Sequence, residues 1–562
     1  MTEGERDDAA RGALFIGLDC STQSISAVVT DGQRKVVHES SLRFDDVLSG
    51  YPGLTNGVVR DPEDANHVLV PSKLFVDALD RIFAELATHR EVFDLADVVA
   101  ISGSAQQHTS VYWRQGFGLR ECLDQAKIEQ PLVYAFDNAF ALECGPSWMD
   151  STTALYCNAL EEAVGGAVRV AEISGSRAYP RFTGNQIAKR LKEEPGFLGN
   201  VGRISLASSA LTSLLIGDFA DIEESDASGM NLLDVSSRTW STELLQATAK
   251  FSTELDASKR LQDLLGDKVA PSASIAGSLH PYFQQKYGLL ATCKIVPCSG
   301  DNPSSLAGIG LARRGDVGVS LGTSSTLMAV VPRMNTKCAE EEGHFFLNPV
   351  NPDTLMAMIC FKNGALARQD IRDNSSEGSW NEFELLLSST APGNEGIIAF
   401  FMRDPEITPL TAKAGVVAFA ADGTKVDASQ LSPATRVRAI VESQCLSMRL
   451  HAEKLGIHDV KRLIVTGGAA ASHGLVQHFA DVFGVPVLRL DSHVNSAALG
   501  AAFRAHHAHQ VTSNPSAPSP FNVDDALQLH LAASPRPAAV EVYQELLTRF
   551  GQLEAQMVQE LS

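Results

Sequence analysis

Residues 16–24 read I-G-L-D-C-S-T-Q-S, an apolar run that stops at a carboxylate and passes into a hydroxyl-rich turn. Leu14 to Leu18 has the composition of a strand, and Ile25 to Thr30 and Lys35 to Ser40 are two further strand-like runs, joined at Asp31-Gly32, a dipeptide suited to a hairpin turn. Three such strands make an antiparallel meander. Leu74, Phe75, Ala78, Leu79, Ile82, Phe83 and Leu86 then recur at helical spacing, and Val98 to Ile101 reads as a buried strand ending at Ser102-Gly103. The order is β-β-β-α-β.

The same order returns later in the chain. Asp316 to Ser320 reads as a strand, Gly322 to Ser325 as a turn and Thr326 to Val331 as a second strand. A long helix opens at Ser432-Pro433, an N-cap serine followed by proline at the first helical position, and carries Val437, Ile440, Val441, Leu446 and Leu450 on one side. Arg462 to Thr466 then reads as a strand ending at Gly467-Gly468. Placing Leu18 over Leu321 sets Ser21-Thr22 over Ser324-Ser325, so the chain reads as an internal duplication. Two such α/β lobes facing each other leave a cleft into which both turns open, which suits a nucleotide phosphate chain.

The boundary is expected near residue 300, between a strand at Lys294 to Pro297 and a helix beginning at Pro303. This divides the chain into a flexible N-terminus at 1–12, a first lobe at 13–300, a second at 301–510, and a linker and helix at 511–562. The linker is S-N-P-S-A-P-S-P, residues 513–520, and Val540, Tyr543, Leu546, Leu547, Phe550, Leu553 and Met557 beyond it predict a helix. That helix either docks on the body or pairs two copies.

With 562 residues, 44% hydrophobic against 20% charged, the chain can bury a large core. Its 46 basic and 67 acidic residues leave a net charge of −21, which repels phosphate backbones and argues against a nucleic-acid partner. The apolar run after the polar first twelve residues is too short for a secretory segment, and no stretch approaches membrane-spanning length. Nine cysteines lie scattered without a C-x-x-C pair, as small core residues of a reducing compartment would. These features lead us to expect a soluble cytoplasmic monomer or homodimer without a membrane partner.

No G-K dipeptide occurs, so a P-loop is absent, as are G-x-G-x-x-G and H-E-x-x-H. Phosphate contacts must come from the duplicated turns. Asp19 can hold Mg²⁺ directly or through water while Ser21, Thr22 and Gln23 donate to a γ-phosphate, or the same residues simply stabilise a hairpin. In S-L-G-T-S-S-T, residues 320–326, Gly322 permits close approach of the backbone and Thr323 and Ser324 add donors. In P-C-S-G-D-N-P, residues 297–303, Asp301 can take the proton of an attacking hydroxyl, while Asn302 before Pro303 suits an N-cap. Gln106-Gln107-His108 projects into the cleft, unless His108 is a satisfied core histidine. Arg177 and Arg181 clamp a polyhydroxylated ligand or form surface pairs, and Gly467-Gly468 receives adenosine or makes a tight turn.

Taken in order, D-C-S-T-Q-S, Q-Q-H, W-M-D-S-T-T, G-S-R-A-Y-P-R-F-T-G-N-Q, S-G-D-N-P, S-L-G-T-S-S-T, C-F-K-N-G and T-G-G resemble the FGGY carbohydrate kinases from about Leu14 to Ala508. The likeness is greatest to eukaryotic-type members that phosphorylate xylulose. It implies the actin-like ATPase fold of two ribonuclease-H-like lobes, and transfer of the γ-phosphoryl of Mg·ATP to the terminal hydroxyl of D-xylulose, giving D-xylulose 5-phosphate. By motif match, Asp301 resembles the general base and Asp19 the carboxylate that organises Mg²⁺ and phosphate. His108, Arg181, Asp301 and Asn302 match sugar-contacting positions, with Gln107 beside them. Gly322 to Ser324 resembles the second phosphate turn, Trp380 a residue on the adenine side, and Gly467-Gly468 the adenosine turn.

Glycerol kinases carry N-Q-R-E where this chain has Ala105-Gln106-Gln107-His108, which argues against glycerol. Similar sequences place an asparagine soon after the double glycine, whereas here Ala469-Ala470-Ala471 follows, which puts the adenosine contacts in question. Two other readings remain at this level: a kinase for another ketopentose or a sugar acid, and an actin- or chaperone-like ATP-driven clamp. The clamp leaves Asp301, His108 and Arg181 without a shared task.

Overall fold

The run around Asp19 becomes strand β1, Leu14–Cys20, in the computed structural model, which describes residues 12–48, 50–334, 336–490, 494–516 and 519–562. Residues 1–11 of the expected flexible N-terminus, and 517–518 of the linker, lie outside the described residues. Every side chain of β1 is buried, because the strand has a neighbour on each edge and cover on each face. It pairs antiparallel with β2, Ser24–Thr30, which pairs antiparallel with β3, Val36–Arg43. The Asp31 carboxylate closes the β2–β3 hairpin by accepting from the amides of Gln33 (2.8 Å) and Lys35 (2.9 Å). Helix α1, Leu74–Leu86, follows as its spacing predicts.

Strand β4, Val98–Ala105, runs parallel to β1 and passes the expected end at Ser102-Gly103. It continues because Ser104 stands opposite Asp19 and its hydroxyl donates to Asp19 Oδ1 at 2.7 Å. Gly103 lies inside the strand, where a Cβ would come within 2.8 Å of Cys298 Sγ. The strand expected at Lys294 to Pro297 is instead two short ones, Lys294–Ile295 and Ser299–Gly300, both paired to β4, since Pro297 has no N–H to offer a ladder. Helix α2, Asp301–Gly308, begins two residues earlier than expected with Gly300 as its N-cap. Asn302 is therefore not the cap, and Pro303 sits in the first turn, where helical N–H groups have no intrahelical partner.

The second lobe repeats the plan. Strands β5, Asp316–Leu321, and β6, Ser325–Pro332, form the hairpin, followed by β7, His344–Leu347, and β8, Thr354–Phe361. Helices α3, Ala365–Ser375, α4, Trp380–Ser388, and the long α5, Pro433–Lys454, precede β9, Arg462–Thr466, which is parallel to β5. Ser432 caps α5 by accepting from the Thr435 amide, as expected. Helix α6, His473–Phe483, strand β10, Val487–Leu490, helix α7, Ser496–Ser513, strand β11, Leu529–Ala533, and helix α8, Pro537–Leu561, complete the described chain. The sheet order is β7-β8-β6-β5-β9-β10-β11. Gly318 to Gly322 has G-x-S-x-G spacing, but Ser320 lies inside β5, paired with Thr326 and Thr466, and forms no nucleophile elbow.

The duplication holds in a different register. The last pair before each turn is Cys20 with Ile25 and Leu321 with Ser325, so Cys20, not Leu18, overlies Leu321 and Ser21–Ser24 matches Gly322–Ser324. A slip of two keeps every side chain on its face, so alternation alone does not reveal it.

Helix α7 returns to the first lobe. A Cβ at Gly17 of β1 would lie 1.9 Å from the Ala498 carbonyl, one at Gly308 of α2 1.9 Å from the Ser496 carbonyl, and one at Gly500 1.8 Å from the Ser304 carbonyl. Helices α2 and α7 thus cross backbone against backbone. Cys20, Cys157, Cys293, Cys298 and Cys445 are buried, as expected of core thiols, while Cys122, Cys144 and Cys360 are half-buried.

Helix α8 docks on the body: Tyr543, Leu547, Phe550, Leu553 and Met557 are buried, so this face is covered by the chain's own second lobe. A charged tie reinforces it. His451 of α5 is fully buried between Glu342 and Glu554 of α8, the latter at 2.9 Å. Burial alone would lower its pKa, but the hydrogen bonds and charges of both glutamates raise it from the ordinary 6.5 to about 9. A folded pKa above the unfolded one gives stability that is complete below pH 6.5 and disappears as pH rises through about 9. Thermal unfolding should therefore show the advantage of the native protein over His451→Gln shrinking across that window; an advantage equal at pH 6 and pH 10 would contradict the tie.

Candidate active site

Two carboxylates define the centre. Asp19, at the end of β1, is 3% exposed, and its oxygens accept from Ser104 Oγ and, at 2.9 Å, from Asn495 Nδ2. Asn495 is also the N-cap of α7, accepting from the amides of Ala497 and Ala498, so Asp19 is gripped from a helix that crosses between the lobes. Burial raises its pKa against the lowering effect of these bonds. Asp301 opens α2, and its Oδ1 accepts from the Asn302 amide (2.8 Å) and from Asn302 Nδ2 (3.0 Å). Desolvation first, and then the charge of Asp19, raise Asp301 to about 7, while backbone hydrogen bonds pull the other way. Near neutrality such a group exchanges a proton readily in either direction.

Beside Asp301 lies a polar wall. Asn302 Nδ2 also donates to Gln107 Oε1 at 3.1 Å, which joins α2 to the segment after β4. Gln106, Gln107 and His108 are all buried, and Nε2 of Gln106 and of Gln107 has no hydrogen-bond partner among the described residues. Buried donors of this kind suit a hydroxyl-bearing ligand. His108 holds a left-handed backbone, φ +69, and its Nδ1 donates to the Gly229 carbonyl at 2.8 Å, leaving Nε2 as acceptor. Burial, followed by the charge of Arg181, lowers its pKa to about 3, so the imidazole is neutral. The Arg181 guanidinium sits 4.8 Å from the Tyr179 ring centre and donates to His344 Nε2 at 2.7 Å. Arg177 pairs with Glu161 at 3.2 Å, the ion-pair alternative to a ligand clamp.

The two hydroxyl-bearing turns differ in character. Ser21 Oγ donates to the Ser24 carbonyl at 3.0 Å and so serves the turn itself. Thr22 Oγ1 accepts from the indole of Trp148 at 2.9 Å, and Gln23 is exposed. In the second turn Thr323 and Ser324 are exposed, while Gly364 packs against the carbonyls of Gly322 and Thr323 and the Ala365 amide donates to Gly322 at 3.0 Å. The N-terminus of α3 thus abuts this turn. Gly467 adopts φ +88 and presses on the Leu321 backbone, whereas Gly468 has open space around it. The first glycine makes the turn and the second leaves bare backbone beside it.

Trp380, 46% exposed, opens α4, with the Arg372 guanidinium 4.7 Å from its ring. One turn on, Glu384 accepts from the Gly474 amide at 3.0 Å and from Ser472 Oγ, so α4 braces the loop that follows Gly468. Trp380 belongs to this neighbourhood through its helix; among the described residues its ring meets Arg372 and Phe383.

Four residues escaped sequence reasoning. Trp148 lies in a motif that was singled out, W-M-D-S-T-T, without a task for the indole, and Asn495 before Ser496 carries an N-cap signature. His344 and Glu384 have no local signal. Among the described residues no group of three or more histidine, cysteine or acidic side chains could hold a metal ion. A single carboxylate with occupied oxygens fits a divalent ion that arrives with phosphates and water as most of its ligands.

Residues 139–308 match the N-terminal domain, and residues 317–509 the C-terminal domain, of the FGGY family of carbohydrate kinases. The chain is 40% identical to the xylulose kinase of Mus musculus over 545 residues, 97% of this chain and 94% of that one. Among solved structures, a xylulose kinase from Lactobacillus acidophilus matches at a TM-score of 0.76 and 16% identity, covering 98% of this chain and 100% of that one. A gluconate kinase from the same organism also matches at 0.76 and 16%, over 98% of this chain and 99% of that one. At this identity the fold alone is shared, the two-lobed actin-like ATPase fold with its duplicated β-β-β-α-β core. Two neighbours named for different sugars fit equally well, so the fold does not select the sugar.

Proposed function

The chain belongs to the FGGY family of carbohydrate kinases, and from that premise we propose that it transfers the γ-phosphoryl group of ATP to the terminal hydroxyl of D-xylulose, releasing ADP and D-xylulose 5-phosphate. The carrying observation is the 40% identity to the Mus musculus xylulose kinase along nearly the whole chain. The pocket supports it physically. A neutral His108, the amides of Gln107 and Asn302, and one cation, Arg181, suit an uncharged polyol better than a sugar acid, which asks for more positive charge.

In this reading His108, Gln107, Arg181 and Asn302 orient the sugar, and Asp301 takes the proton of the attacking hydroxyl as its oxygen bonds to the γ-phosphorus and the bond to the β,γ-bridging oxygen breaks. Ser21, Thr22, Gln23 and Gly322, Thr323, Ser324 flank the phosphates, while Gly467, Gly468 and Trp380 border the adenosine. Asp19 would hold, through water, a Mg²⁺ that arrives with ATP and would neutralise phosphate charge. We assign residues 13–300 chiefly to the sugar and 301–510 chiefly to the nucleotide, with α7 shared. No described helix is long and apolar enough to cross a membrane; the buried free thiols suit the cytoplasm.

ADP release with Mg·ATP, measured against D-xylulose, D-ribulose, L-ribulose, glycerol, gluconate and no sugar, tests the assignment. kcat/KM for D-xylulose should exceed the others by about tenfold or more, because the pocket's buried donors are left unpaired by the wrong hydroxyl pattern. Preference for another sugar would keep the kinase and discard the substrate. Release indifferent to sugar would overturn both.

A further inference from the structure

Arg181 is held in place by a residue of the other lobe. His344 lies on β7, the edge strand of the second sheet, is 3% exposed, and is walled by Tyr179, Phe182 and Phe346 with ring centres 4.6 to 5.5 Å away. Its Nε2 lies 2.7 Å from Arg181 Nη2 and its Nδ1 3.1 Å from Ser176 Oγ. A guanidinium only donates, so Nε2 accepts and Nδ1 carries the hydrogen, directed at the Ser176 oxygen. Burial first, then the charge of Arg181, keeps the imidazole neutral, as this tautomer requires. Ser176 is itself fixed, since its carbonyl accepts from Asn231 Nδ2 and from Ser174 Oγ.

The bond to His344 is the one hydrogen bond the guanidinium makes among the described residues. Its plane is also fixed by the Tyr179 face. One edge of the fork is thereby occupied and the others are left for a ligand beside His108, whose pKa already registers the cation.

We propose that His344 is a positioning residue for sugar binding: from the second lobe, its unprotonated Nε2 aims the Arg181 guanidinium at the ketose hydroxyls. The inference rests on the reading of Arg181 as a sugar contact. It makes the sugar site a property of both lobes, although the family of polar groups around Asp301 comes from the first lobe and α2. The loop that bears Arg181 is pinned independently, by the Phe345 amide to the Gly175 carbonyl at 2.8 Å and the Arg177 amide to the Ala339 carbonyl at 3.2 Å. Removing the imidazole nitrogen should therefore leave the loop seated.

The test is a kinetic cycle on the full chain with His344→Phe, His344→Gln, Arg181→Ala and the double variant His344→Phe/Arg181→Ala. His344→Phe should raise the sugar KM about tenfold with the ATP KM within about twofold, and His344→Gln, which keeps an acceptor, should recover most of the loss. In the Arg181→Ala background His344→Phe should add less than about twofold, the signature of one residue acting through another. Ser176→Ala, which frees the tautomer without touching the packing of the ring, should raise the sugar KM about threefold and guards against a misfolded phenylalanine variant. Multiplying penalties in the double variant, or sugar and ATP KM rising together, would overturn the proposal while leaving Arg181 as a sugar contact. An unchanged sugar KM in Arg181→Ala would instead remove the contact itself, and the proposal with it.

Discussion

Asp301→Asn should lower kcat by about 10²- to 10⁴-fold while leaving sugar affinity within about tenfold, the span expected for loss of a general base that keeps its shape. The amide retains an oxygen for the Asn302 N–H groups that now reach Asp301 Oδ1 at 2.8 and 3.0 Å, so the entrance to α2 keeps its geometry. What it loses is the capacity to take a proton. In the unmutated protein kcat/KM should fall as pH drops through about 7, because burial and the neighbouring Asp19 charge place the carboxyl there. ADP release gives the rate and calorimetry the affinity. A variant with a tenth or more of native kcat would remove Asp301 from the chemistry.

The second large effect is structural. Gly500→Val should destabilise the fold by about 3 kcal/mol or more, visible as a lowered urea midpoint, because a Cβ there would stand 1.8 Å from the Ser304 carbonyl. Both helices are fixed at this point by contacts elsewhere: α7 lies on β1 at Gly17, and α2 on α7 at Gly308. Neither can yield without opening the other contact. Replacing a helical glycine ordinarily gains about 1 kcal/mol of helix propensity. Gly551→Ala in α8, where the nearest atoms are the flexible ends of Leu450 at 3.4 Å, should show that gain and serves as the control. Equal behaviour of the two substitutions would mean that the crossing is looser than its carbonyl contacts imply.

The difference between these sites explains what could be read before the structure. Local periodicity marks an element wherever one face is buried, so the β1–β2–β3 meander, α1, the β5–β6 hairpin, α5 and the buried face of α8 were legible from their apolar spacing. Strand β8, Thr354–Phe361, was not read, since after Thr354 the run L-M-A-M-I-C-F is apolar without a break and shows no alternation. The extension of β4 to Ala105 depends on Asp19 across the sheet, and the return of α7 to the first lobe depends on glycines far apart in the chain. Local rules cannot see either. At the site, Asp19, Gln107, His108, Arg181, Asp301 and Asn302 were visible as an ordered set of motifs, and the structure brings them together. Asn495 and His344 reach Asp19 and Arg181 from the other half of the chain, where neither neighbours nor spacing announces them.

The glycine crossing of α2 and α7 also has the form of a hub, closed to sliding and separation. Helices whose glycines each admit a carbonyl of the other cannot slide without collision or part without leaving a void, and a small turn about the contact is the motion least opposed. Ser304, which meets α7 there, is three residues from Asp301, about 5 Å along the helix at 1.5 Å per residue. A rotation of about ten degrees moves a point that close to the axis by under about 1 Å. Any swing that brought the two hydroxyl-bearing turns toward each other would be taken up at their longer radius, and the Asp301 carboxylate, proposed above as the base, would stay almost still at the hub.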